Sequence, residues 1–143
     1  MTKLIMDYNT NIKIVFSVFG NSFNPNDFTK SININPTKFW IEGELIPNNK
    51  KNRKREESCW EYSIQSDTIY FEEISEMFFN VFGGKIKNIN NYLAKIKDVT
   101  VKFDVVLELA EEQGVALFFN KNFLKMVNSL DSEVEIDTYI LKD

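Results

Sequence analysis

Pro36-Thr37-Lys38-Phe39-Trp40-Ile41-Glu42-Gly43-Glu44, answered further along by Cys59-Trp60, contains both tryptophans of the chain. Phe39 to Leu45 reads as a strand, and Gly43 inside it marks a bulge or a close backbone approach. Pro47-Asn48-Asn49 breaks that strand, and residues 47–57 form a loop carrying Lys50, Lys51, Arg53, Lys54 and Arg55. Ser58 to Ile64 then resumes as a strand, with Trp60, Tyr62 and Ile64 on one face and Cys59, Glu61 and Ser63 on the other. Two strands joined by such a loop are expected to pair as an antiparallel hairpin.

Upstream, Ile12, Ile14, Phe16 and Val18 alternate with Lys13, Val15, Ser17 and Phe19 in a further strand. Asn24-Pro25 starts a short helix that must stop before Pro36. Downstream, a helix is expected from Ile69 to Phe82, with Tyr70, Ile74, Met77 and Val81 as its apolar stripe, flanked by Phe71 and Phe78. Another runs from Lys85 to Ile96. Val101 to Leu109 alternates cleanly as a strand, and Val115 to Phe119 reads as a short buried strand. Asn120 caps a third helix with Phe123, Val127 and Leu130 on its stripe, and Val134 to Ile140 closes the chain as a strand. The expected fold is a single-domain α+β sandwich, a mostly antiparallel sheet with two or three helices covering one face. Residues 1–11 read as a lead-in and 12–143 as the domain.

Composition narrows the chemistry. The chain of 143 residues is long enough for its own hydrophobic core, and 13 phenylalanines supply bulk without polar handles. It has no histidine, so no imidazole base, no Ser-His or Cys-His pair and no His-containing zinc site can be built. A lone cysteine, Cys59, permits no internal disulfide, and without a histidine to activate it a packed thiol is expected rather than a nucleophile. The net charge of -4 argues against a dedicated nucleic-acid binder. Met1-Thr2-Lys3-Leu4-Ile5-Met6-Asp7 carries no export core, and the longest apolar run, Val115 to Phe119, is far too short to span a membrane. A cytoplasmic protein without metal or cofactor is expected.

Three sets of residues invite a functional reading. Lys38, Trp40, Glu42 and Glu44 read either as a polar pocket rimmed by Trp40 or as a strand entry with solvated charges; pleated-strand geometry favours the second. The Lys50–Arg55 run reads as a contact to nucleic-acid phosphates or an anionic membrane surface, or as a solvated loop tip, and the absence of interleaved aromatics between Leu45 and Trp60 favours the tip. Glu133, Glu135 and Asp137 share one face of the last strand with Tyr139, and Asp104 and Glu108 share a face of an earlier one, so the two rows could be neighbours. Such a face would steer a basic partner toward it. Phe79, over the polar side of its helix, reads as an exposed contact residue.

Pro36-Thr37-Lys38 with Gly43-Glu44, a later Trp60 and a closing Asp137-Thr138-Tyr139 follow one another in an order that resembles the bacterial family catalogued as domain of unknown function 4279. The resemblance covers about residues 12 to 140, and the basic 50–55 loop departs from it. It implies no catalytic residue, because the family has no assigned activity. The expected function is a non-enzymatic protein-binding module, by analogy an immunity or antitoxin-like protein occluding a basic partner such as a toxin. Its binding residues would be Lys38, Trp40, Glu42, Glu44, Trp60, Glu133, Glu135, Asp137 and Tyr139. The alternative is a small-ligand or metal-dependent hydrolytic domain, which needs Glu42, Glu44, Asp104 and Glu108 to converge in one cleft.

Overall fold

The computed structural model describes residues 9–141. Nine elements follow in order: β1 Asn11–Gly20, α1 Pro25–Ile32, β2 Lys38–Trp40, β3 Ser58–Ser66, α2 Phe71–Phe82, α3 Ile86–Leu93, β4 Val99–Leu109, α4 Lys121–Ser129 and β5 Glu133–Ile140. The strands make one sheet in the order β2-β3-β1-β4-β5. The fold is α+β, as expected, but the sheet is mixed and four helices accompany it. Pairings of β1 with β3, β1 with β4 and β2 with β3 are antiparallel, whereas β5 runs parallel to β4. The parallel pair follows from the connection: α4 carries the chain back to the start of β4 before β5 begins, as a parallel crossover requires.

The central strand shows why the chain folds this way. Ile12, Ile14, Phe16 and Val18 are fully buried on the helix side, matching their alternation in sequence. Phe16 sits opposite Tyr62 on β3 and Phe103 on β4. Its ring lies 5.8 Å from Phe78 and 5.2 Å from Phe82, so α2 meets the sheet through aromatic edges and faces. Asn24 caps α1 by accepting from the backbone N–H groups of Asn26 and Asp27, and Asn120 caps α4 by accepting from that of Phe123.

Several local expectations are corrected. The buried stripe of α2 is Phe71, Ile74, Ser75, Phe78 and Phe82, while Tyr70 and Met77 are 52% and 46% exposed. The apolar arc of the helix is wide, with Glu72, Glu73, Glu76 and Asn80 on its polar side, and the aromatic lining of the sheet selects which part of that arc turns inward. Phe79 is half-buried and packs against the core rather than standing free. Val115 to Phe119 forms no strand: Ala116 makes only an isolated bridge with Tyr70, and Phe118 is 60% exposed. The lead-in expected over residues 1–11 falls, through residue 8, outside the described residues, and Asn11 already belongs to β1.

The second strand is shorter than expected, Lys38–Trp40 rather than Phe39 to Leu45. Gly43 adopts φ of 89°, a left-handed backbone that side chains disfavour, and the Glu44 N–H donates to the Ile41 carbonyl at 3.1 Å to close a turn. Beyond the turn the chain pairs again: Gly43 N–H donates to Arg55 O, Arg55 N–H to Glu44 O and Ile46 N–H to Arg53 O. Because β1 ends at Gly20 opposite Ser58, residues 41–57 extend past the sheet as a two-stranded arm.

Candidate functional site

All four helices lie on one side of the sheet, and the strand register defines what faces the other. Across the uncovered face run five cross-strand rows. The row nearest the arm is Trp40, Cys59, Phe19 and Thr100, and the next is Lys38, Glu61, Ser17, Lys102 and Glu133. Then come Ser63, Val15, Asp104 and Glu135, followed by Gln65, Lys13, Val106 and Asp137. Asn11, Glu108 and Tyr139 close the series. The period of two along each strand puts all of these side chains on the face away from the core.

The two tryptophans part company here. Trp40 pairs with Cys59, so Trp60, one residue on, must point through the opposite face. Trp60 is fully buried against α1, its indole N–H donating to Thr29 Oγ1 at 3.0 Å while that hydroxyl donates to the Pro25 carbonyl. It is a core residue of the hairpin and does not share a surface with Trp40. Trp40 instead carries the Arg55 guanidinium 4.1 Å from its ring centre and the Lys38 ammonium at 5.2 Å. Arg55, from the far side of the arm, is a partner that strand-by-strand reading could not supply. Cys59 lies between Trp40 and Phe19 and is 3% exposed. Burial, reinforced by Glu61 and Glu57, pushes its thiol up to about 12, so it stays protonated and unreactive in the folded chain.

Thr37 explains the Pro-Thr-Lys motif. Its N–H donates to Glu61 O at 2.8 Å and its hydroxyl accepts from Ser63 N–H at 3.0 Å, which anchors the strand entry to β3. Glu42 uses its backbone N–H to bond Ser58 Oγ, and the side chains of Glu42 and Glu44 stand exposed at the base of the arm. Lys50, Lys51, Arg53 and Lys54 are exposed toward its tip.

At the opposite edge the two carboxylate rows do meet. Parallel pairing sets Asp104 beside Glu135 and Glu108 beside Tyr139, with Asp137 beside Val106 between them. Lys102 reaches into this row, bonding Glu135 and standing 3.4 Å from Asp104, and the bond to Glu135 holds its ammonium above the ordinary lysine range. Among the described residues these are the ion pairs present, leaving Glu133 and Asp137 without a cationic partner. Alternation along the strand already sets Lys102 on the face of Asp104 and Glu108, but its bond to Glu135 depends on the β4–β5 pairing, which the sequence does not supply.

The four carboxylates of the hydrolytic alternative do not converge. Glu42 and Glu44 belong to the arm beside β2, whereas Asp104 and Glu108 lie on β4, with β3 and β1 between. No group of three or more Cys, Asp or Glu side chains placed to hold a metal ion occurs among the described residues. A crevice of about 370 Å³ lined by Asp67, Thr68, Tyr70, Glu73 and Gln113 lies at the other end of the sheet. Its polar groups largely serve each other: Thr68 Oγ1 donates to Glu73 at 2.8 Å and accepts from Tyr70 N–H. No helix among the described residues is long and apolar enough to cross a membrane.

A protein-family model described as Domain of unknown function (DUF4279) matches residues 10–141. No curated protein and no solved structure matches the chain.

Proposed function

The chain belongs to the family of domains of unknown function DUF4279, and on that premise we propose that it is a non-enzymatic, cytoplasmic protein-binding module of an immunity or antitoxin-like kind. Its receiving surface is the uncovered face of β4 and β5, and its partner is a basic protein. One observation carries the reading: the parallel β4–β5 register gathers Asp104, Glu108, Glu133, Glu135 and Asp137 on a sheet face that no described element covers. Lys102 is the single cation those two strands contribute to that face, so its field is negative and only partly offset. A field of one sign steers a partner of the other and speeds its association. Tyr139, 58% exposed beside Glu108, adds the aromatic contact that interfaces favour. The hydrolytic reading loses its support with the separation of its carboxylates.

The test compares native bait with a Glu135→Lys/Asp137→Lys bait in capture from the host at about 50 and about 200 mM salt, a range over which exposed charges are increasingly screened. The expected result is a basic protein held by the native bait, released at the higher salt, whose association rate falls at least about tenfold with the reversed bait. Association at an unchanged rate rejects the acidic face as the receiving surface.

A further inference from the structure

The sheet ends in two edges of opposite charge. At one edge the arm is basic toward its tip: residues 45–55 hold Lys50, Lys51, Arg53, Lys54 and Arg55 and no carboxylate, the arm's acids being confined to its base at Glu42, Glu44, Glu56 and Glu57. None of the five cations has a carboxylate within ion-pair distance among the described residues. At the other edge, β5 runs eight residues without proline or glycine, with one side of its backbone unpaired among the described residues. That is an edge open to strand addition. One of its faces carries Glu133, Glu135 and Asp137; on the other, Ile136 and Ile140 are 42% and 64% exposed because the helix layer stops short of them. The arm offers apolar surface to match, with Leu45 60% and Ile41 37% exposed.

Within one molecule these complementary surfaces stay apart, since five strands at roughly 4.8 Å spacing separate the sheet edges by about 19 Å. We propose that the arm tip of one copy docks on the β5 edge of a second copy of this chain. The inference rests on the acidic face as a receiving surface and names its basic partner as the chain's own arm. Charge selects this arrangement over a symmetric one. A two-fold β5–β5 contact would set acid row against acid row, and an arm–arm contact would set cation against cation, both repulsive. The head-to-tail contact is heterologous, so each added copy leaves a free arm at one end and a free edge at the other.

The experiment is sedimentation equilibrium of the full chain at about 20 and about 500 mM salt, concentrations at which exposed charges interact strongly and weakly. At low salt the mean mass is expected to rise above twice the monomer's as concentration increases, and to return to the monomer's at high salt. An arm-reversed variant, Lys51→Glu/Arg53→Glu/Lys54→Glu, leaves the core untouched and is expected to remain monomeric. An edge-reversed variant, Glu133→Lys/Glu135→Lys/Asp137→Lys, is expected to do the same, and mixing the two variants restores association. A native chain that stays monomeric at about 1 mM and low salt overturns the proposal, and so does self-association that survives arm reversal. A monomeric chain whose Glu135 and Asp137 still capture a foreign basic protein rejects self-docking but keeps the acidic receiving surface. Self-association that needs both the arm and the β5 acids, with no foreign partner sensitive to those residues, keeps self-docking on the acidic surface and rejects the foreign partner.

Discussion

Trp40 and Trp60 show how much one residue's place in a register decides. Both belong to the same hairpin, yet the pairing of Trp40 with Cys59 turns one indole toward solvent and cations and the other into the core. Cys59 takes its character from the same pairing, walled in by Trp40 and Phe19. Its thiol is raised from 9.0 to about 12 in the folded chain. As pH climbs past 9 the unfolded chain releases this proton while the folded chain keeps it, so the contribution present below pH 9 is lost toward pH 12. Between pH 9 and 11, unfolding by urea should therefore show stability falling more steeply in the native chain than in Cys59→Ala; parallel curves would contradict the burial assigned to this thiol. Thiol reagents should label Cys59 at pH 8 only once the chain is unfolded.

At the scale of the element, the arm and α2 depart most from what their sequences suggest. A strand pattern runs on through Ile41 and Leu45, but Gly43 bends it into a turn, after which the two chains pair again beyond the sheet. A Cβ at Gly43 would meet nothing within 4 Å, so the need for glycine there is conformational rather than steric. Gly43→Ala is expected to cost roughly 1–2 kcal/mol locally, the penalty of a left-handed backbone for an L-residue. Hydrogen exchange reads it directly: the Arg55 and Ile46 amides, which close the arm, should exchange faster while those of β1 keep their protection. Unaltered exchange at both arm amides would mean that the turn carries no strain. In α2 the stripes Tyr70-Ile74-Met77-Val81 and Phe71-Ile74-Phe78-Phe82 share Ile74 and differ by a rotation of roughly 75° about the helix axis. The aromatic bed of Phe16, Tyr62 and Phe103 decides between them, burying the rings of Phe78 and Phe82, which stack at 4.4 Å.

For the whole molecule, Phe16 is the point where sheet and helices meet, touching Trp60, Phe78, Phe82 and Phe103. Phe16→Ala should lower the unfolding free energy by about 3–5 kcal/mol, as for other fully buried phenylalanines, with the urea midpoint as the readout and a loss below about 1 kcal/mol as the contrary result. The sequence by itself determined the α+β class, the central strands, the capped helix starts and the absence of any imidazole chemistry. These depend on local periodicity, capping chemistry and composition, which a chain carries wherever it folds. It also placed Glu133, Glu135 and Asp137 on one face, because alternation along a strand is a local property. Tertiary structure alone decided that β5 lies parallel to β4, setting Asp104 beside Glu135, that Arg55 covers Trp40, and that Lys102 spends part of the acid row. Each of these joins residues far apart in the chain or sets the direction of a strand. Alternating hydrophobicity is the same in both strand directions, so only the packing of α4 on the sheet could choose.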